Sequence, residues 1–197
     1  MFCKLTPEEE VRMHILLKGI ADDPNALEMQ KFIQHGSVTT YEHCMRVTRI
    51  AFWLNIHLRA HADEASLVKG AFLHDFYLYD WHNCSNITHW HGFKHPRIAR
   101  YNAEVVFALT DKEKDIIQSH MWPLTFRHVP SCREAIIVCL ADKYCAVVES
   151  MFKHSRVAAA KTPTANTTSG KIGSLQITGA AAPQKCSGSF CFILYTP

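Results

Sequence analysis

Two short strings place ionisable side chains where the chain is otherwise apolar. His74-Asp75 lies within Ala71-Phe72-Leu73-His74-Asp75-Phe76-Tyr77-Leu78, and Asp142 follows Ala135-Ile136-Ile137-Val138-Cys139-Leu140-Ala141. A carboxylate buried among apolar residues is costly unless it is paired or holds a metal. Imidazole and carboxylate together form a donor set suited to Fe, Mn, Co, Ni or Zn. Three more histidines stand near the ends of helical segments. His43 lies in Tyr41-Glu42-His43-Cys44-Met45-Arg46-Val47, His95 directly precedes Pro96, and His120 directly precedes Met121-Trp122-Pro123. Thirteen histidines leave room for chance spacing. The ordered set therefore carries the argument, and His14, His57, His61, His128 and His154 read as structural or surface residues.

In chain order the set is His43, His74-Asp75, His95, His120 and Asp142. Over roughly residues 30–150 this order and spacing resemble the HD-domain superfamily of metal-dependent phosphohydrolases. The superfamily core is His, His-Asp and Asp, and two further histidines before the last Asp mark members that hold two metals. Arg46, three residues after the first His, and Lys143, directly after the last Asp, fit the same pattern. The string from His74 to His82, followed by His91-Gly92-Phe93-Lys94-His95-Pro96, is similar to small stand-alone members.

The resemblance implies an all-α helical bundle of about seven helices. It also implies two divalent cations per chain (Mn, Fe, Co, Ni, Mg or Zn). His43, His74 and Asp142 would hold one, Asp75 would bridge, and His95 and His120 would hold the second. His91, four residues before His95, is the competing ligand. The His95-Pro96 pair favours His95 and leaves His91 as a substrate contact or a support for a ligand. The implied reaction is hydrolysis of a small phosphate ester, a nucleotide foremost, by a metal-activated hydroxide. Asp75 would orient it and accept its proton. Arg46 and Lys143 would offset the developing negative charge, and Arg46, Lys94 and His91 would bind substrate. Arg97 and Arg127 read as solvated. Tyr77, Tyr79, Trp81 and Trp90 suit either stacking on a base or roofing the core. Two alternatives stand beside this: a di-iron oxygenase of the same superfamily acting on a polyol or phosphonate, and a non-catalytic ligand-binding or scaffold domain. The intact ligand set argues against the last.

Helix signals position these residues. Thr6-Pro7-Glu8-Glu9 opens a first helix running to about Lys18. Asp23-Pro24 opens a second that ends near His35-Gly36. The third spans about Thr39–Ala60, with His43, Val47, Ile50 and Leu54 at helical spacing. The fourth runs from about Asp63 to Phe76, and Tyr77–Lys94 reads as a loop. Pro96 opens a fifth helix to about Leu109. Thr110-Asp111-Lys112-Glu113 and Ser131-Cys132-Arg133-Glu134 read as capping boxes for a sixth, to His120, and a seventh, to about Lys153. No strand is evident.

The 197 residues suit one domain over 1–154, with a low-complexity, flexible tail over 155–197. The formal charge of +3 is uneven. Residues 1–154 carry 17 basic and all 18 acidic side chains, and the tail adds four basic residues and no acid. The charge thus points to no nucleic-acid polymer as partner. No apolar run approaches the roughly 18–20 residues that span a bilayer, and no Cys-x-x-Cys occurs among the eight cysteines. Cys44, Cys139 and Cys145 read as core thiols, and a reducing cytoplasm is the expected compartment.

Overall fold

The computed structural model describes residues 4–35, 37–79 and 91–160. Seven α-helices follow in order: α1 (Pro7–Leu17), α2 (Pro24–Leu27), α3 (Thr40–His57), α4 (Glu64–Leu73), α5 (His91–Val106), α6 (Asp111–Ser119) and α7 (Arg133–Ala160). Between α2 and α3 lie a 3-10 turn (Glu28–Lys31) and two short antiparallel strands, β1 (Ile33–His35) and β2 (Val38–Thr39). The expected all-α bundle is what the chain forms. The helix expected from Asp23 to His35 stops early, however, and a hairpin replaces its second half. β-branched Val38 and Thr39 beyond Gly36 favour pairing over helix, and the hairpin carries Gln34 into the interior.

Caps fix where the helices begin. Thr6, Thr39 and Thr110 each accept the backbone N–H of the third helical residue, and the glutamates there (Glu9, Glu42, Glu113) return a bond to the cap's own N–H. Asp63 Oδ2 accepts from Ser66 N and starts α4. Gly19, at φ +78°, provides the left-handed residue just beyond α1. Ser131 and Glu134 serve a different end from the expected capping box. Ser131 donates from N and Oγ to Asp115 Oδ2 on α6. Glu134 accepts from Asp63 N at 2.7 Å and from Lys112 Nζ at 3.4 Å. These bonds join α7 to the starts of α4 and α6.

The fifth helix also departs from expectation. It begins at His91, so Pro96 lies inside it. The proline costs one internal bond, to the Gly92 carbonyl. It also puts His91 one turn before His95 on the same helix.

The core has two parts. Met13, Leu17, Phe52, Phe72, Phe76, Tyr77 and Ile117 belong to one; Val47, Ile50, Leu67, Ala71, Ile116, Val138 and Ala141 belong to the other. α3 and α4 contribute to both. Cys44, Cys139 and Cys145 are buried thiols, as expected, and Cys132 is also free. No helix among the described residues is long and apolar enough to cross a membrane. The expected tail starts within α7, and residues 161–197 lie outside the described residues.

α4 and α6 approach closely at Gly70 on α4. A Cβ there would stand 2.8 Å from Cδ1 and Cγ2 of Ile116 on α6. Gly70→Ala would gain up to about 1 kcal/mol in helix propensity but overpack the α4–α6 seam, which costs about 1–3 kcal/mol. Denaturant unfolding should therefore show a net loss of stability. A raised midpoint would mean that the seam yields.

Candidate metal centre

Five helices deliver six side chains to one point. His43 is on the first turn of α3, and His74 and His120 are the C-caps of α4 and α6. Asp75 follows His74 directly, His95 is on α5, and Asp142 is on α7. All six are buried. The cap position sets two of the rings. Nδ1 of His74 lies 2.7 Å from the Ala71 carbonyl, and Nδ1 of His120 lies 2.7 Å from the Ile117 carbonyl. A carbonyl only accepts, so each Nδ1 carries a proton. Nε2 of the neutral ring then keeps its lone pair for the centre.

Asp75 divides its two oxygens. Oδ2 lies 3.5 Å from His74 Nε2 and 4.0 Å from His43 Nε2. Oδ1 lies 3.2 Å from His95 Nε2 and 3.5 Å from His120 Nε2. Asp142 Oδ1 completes the first group, 3.2 Å from His43 Nε2 and 3.7 Å from His74 Nε2. His95 and His120 bring their Nε2 atoms within 2.9 Å of each other.

This arrangement fits a cation. Among the described residues, His74 Nε2 and Asp75 Oδ1 are buried without a hydrogen-bond partner, an uncommon and costly condition. Two overlapping sets, His43/His74/Asp142 and His74/Asp75/His120, each hold their donor atoms within 4.8 Å of one another. Donors about 2.0–2.2 Å from one ion stand about 3–4 Å apart, the spacing these atoms show.

Without a cation, protons offset the carboxylates. Burial pulls the His43 ring down, but its bonds to Asp142 and Glu149 outweigh this and raise it to about 10. Burial opposes His74 likewise, and the charge of Asp75 lifts it well above its ordinary value. Burial pushes Asp75 up, yet His74 and His95 hold it well below the usual carboxylate range. Asp142 is lowered too, its bond to His43 and the nearness of the His74 ring outweighing burial. His120 goes the other way: burial and the charge of His74 press it down to about 3.

The basic side chains are placed differently from these six. Arg46 Nη1 pairs with Glu149 Oε1 at 3.1 Å, and Glu149 Oε2 lies 3.0 Å from His43 Nδ1. Arg46 thus stands behind the His43 ring with part of its side chain exposed. Lys143 Nζ donates to the His120 carbonyl at 3.0 Å and to the Cys139 carbonyl at 3.4 Å, tying the end of α6 to α7. Lys94 is exposed beside His95. Arg97 and Arg127 are exposed, as expected, and Arg127 sits 5.6 Å over the Phe126 ring. Tyr77 is 1 % exposed and packs on Tyr79, so it roofs the core and presents no face to a base. The side chain of His91, and Trp81, His82, His89 and Trp90, lie outside the described residues.

Two buried partners, Glu149 and Gln34, escaped the sequence reading. Glu149, 6 % exposed, is seven residues after Asp142. Two carboxylates two turns apart on one face of an apolar helix were the available signal. Gln34 Nε2 donates to Asp75 Oδ2 at 2.7 Å, and the Tyr77 hydroxyl donates to Gln34 Oε1. No local pattern marks that pair, because it forms only when the hairpin folds against α4.

The HD-domain family model matches residues 40–147, more than half of the chain. The chain belongs to the HD-domain family, whose members are typically metal-dependent phosphohydrolases. No curated protein and no solved structure matches it.

Metal loading should be linked to pH with a defined sign. Because the proton on His43 Nε2 competes with a cation, binding must expel it, and affinity should rise from pH 6 to 8. Calorimetry in buffers of different ionisation enthalpy should register about one or more protons released per chain. In the metal-free protein the raised His43 stabilises the fold fully below about 6.5, and this contribution is lost as pH climbs towards about 10. Affinity independent of pH would remove His43 from the ligand set.

Proposed function

We propose that the chain is a metal-dependent phosphohydrolase. Its substrate would be a small phosphate ester such as a nucleotide, cleaved at a site for two divalent cations. The carrying observation is the division of Asp75: one oxygen faces His43 and His74, the other faces His95 and His120, and the latter has no hydrogen-bond partner among the described residues. His43, His74 and Asp142 would hold one ion, His95 and His120 the other, with Asp75 between them. A bound divalent pair supplies Lewis acidity, which polarises a phosphoryl oxygen and acidifies water.

The chain's own residues do the rest. Asp75, held ionised, orients the nucleophilic water. His74 and His120 keep fixed ring directions because their own helices hold them. Glu149 steadies His43 from behind, the usual partner of a ligating imidazole. Arg46, one turn after His43, and Lys94, beside His95, are assigned to the substrate phosphate, with His91 one turn before His95. Lys143 is assigned to the His120 end of α6.

The test is metal analysis of anaerobically purified protein, then a screen of nucleotides and sugar phosphates with Mn, Co, Ni and Mg. Asp75→Asn should keep the fold and lower turnover at least about a hundredfold, since a neutral amide replaces the shared anion. His120→Ala should lower bound metal from about two per chain towards one. Full activity in Asp75→Asn would assign the hydrolysis to another site. Oxygen uptake by the reduced iron form with a polyol or phosphonate, without phosphate release under any metal, would put the oxygenase in its place.

A further inference from the structure

Gln34 lies on β1, six residues before the span that the family model matches. It is 7 % exposed and 2.7 Å from the most constrained carboxylate of the centre. Its orientation is dictated by charge. An ionised carboxylate only accepts, so the amide nitrogen must face Asp75 Oδ2. The amide oxygen then faces the Tyr77 hydroxyl, which must donate. Tyr77 is itself held: Thr40 Oγ1 lies 3.3 Å from its hydroxyl, and Asn102 Nδ2 donates to the Phe76 and Tyr77 carbonyls at 3.2 and 3.1 Å. Asp75 Oδ1 receives no such donor among the described residues.

We propose that Gln34, set by Tyr77, is a positioning residue that makes Asp75 a shared ligand. A carboxylate free to turn about its Cβ–Cγ bond can give both oxygens to one ion. Gln34 occupies one lone pair of Oδ2 and fixes the plane of the group. Oδ2 then keeps its remaining lone pair for the His43 side, and Oδ1 is left to the His95 and His120 side. The number of ions held thus depends on a hairpin amide that is not itself a ligand. This inference rests on the two-cation reading above.

Manganese titration of the full chain tests it, with metal counted by elemental analysis and the pair detected by electron paramagnetic resonance. The unmodified protein should bind two ions per chain and show an exchange-coupled spectrum. Gln34→Leu removes the donor at similar volume. It should keep the first ion at unchanged affinity and weaken the second by about 10–100-fold, leaving an uncoupled spectrum near one ion per chain. Tyr77→Phe keeps the ring and frees the amide to turn, and should shift the second ion in the same direction by less. It also serves where Gln34→Leu does not fold. A coupled pair at unchanged affinity in both variants would overturn the inference and leave the two-cation reading standing. Equal loss of both ions would overturn it as well, since a merely structural role predicts that. An unmodified protein that binds one ion only would overturn the two-cation reading and this inference together.

Discussion

A carboxylate 2 % exposed to solvent governs this molecule. Removing an anion from water costs several kcal/mol unless neighbours replace the lost hydration. Around Asp75 the replacement comes from every side: four imidazole nitrogens within about 4 Å, the Gln34 amide, and no water-facing edge. Each partner comes from a different element, so the charge can be satisfied only when α3, α4, α5, α6 and the hairpin have all docked. Packing of the two apolar clusters supplies the drive, and the buried anion supplies the register.

The same logic explains where the histidines sit. The last carbonyls of a helix lack internal partners. His74 and His120 each turn a ring nitrogen back to such a carbonyl and point the other nitrogen inward. One hydrogen bond thus completes a helix end and aims a ring nitrogen at the centre. His43 lacks that option at the start of α3, and a carboxylate from α7 aims it instead. Arg46 in turn balances that carboxylate.

The strongest sequence signals were those that break an apolar pattern. Asp75 and Asp142 stood out because nothing about them suits a core helix, and threonine caps three residues before a glutamate marked the starts of α1 and α6 correctly. The misses have physical causes. Pro96 is a good first residue of a helix, so local rules placed the start of α5 there; the five residues before it are helical nonetheless. The segment from Glu28 to Thr39 has no strong period, and its pairing comes from contacts over forty residues away, Gln34 with Asp75 among them. Lys143 follows the last Asp as the resemblance expects, yet its chain length lets it reach a helix end, and backbone carbonyls take it.

The span shared with the family and the span that works are different lengths. Residues 40–147 contain all six side chains of the candidate metal centre. The amide that orients Asp75 lies before that span, and the carboxylate that orients His43 lies after it. A transplant of the shared span into another scaffold would carry every donor atom and lose the two side chains that aim Asp75 and His43. The portable unit of this site begins at the hairpin and ends two turns beyond Asp142.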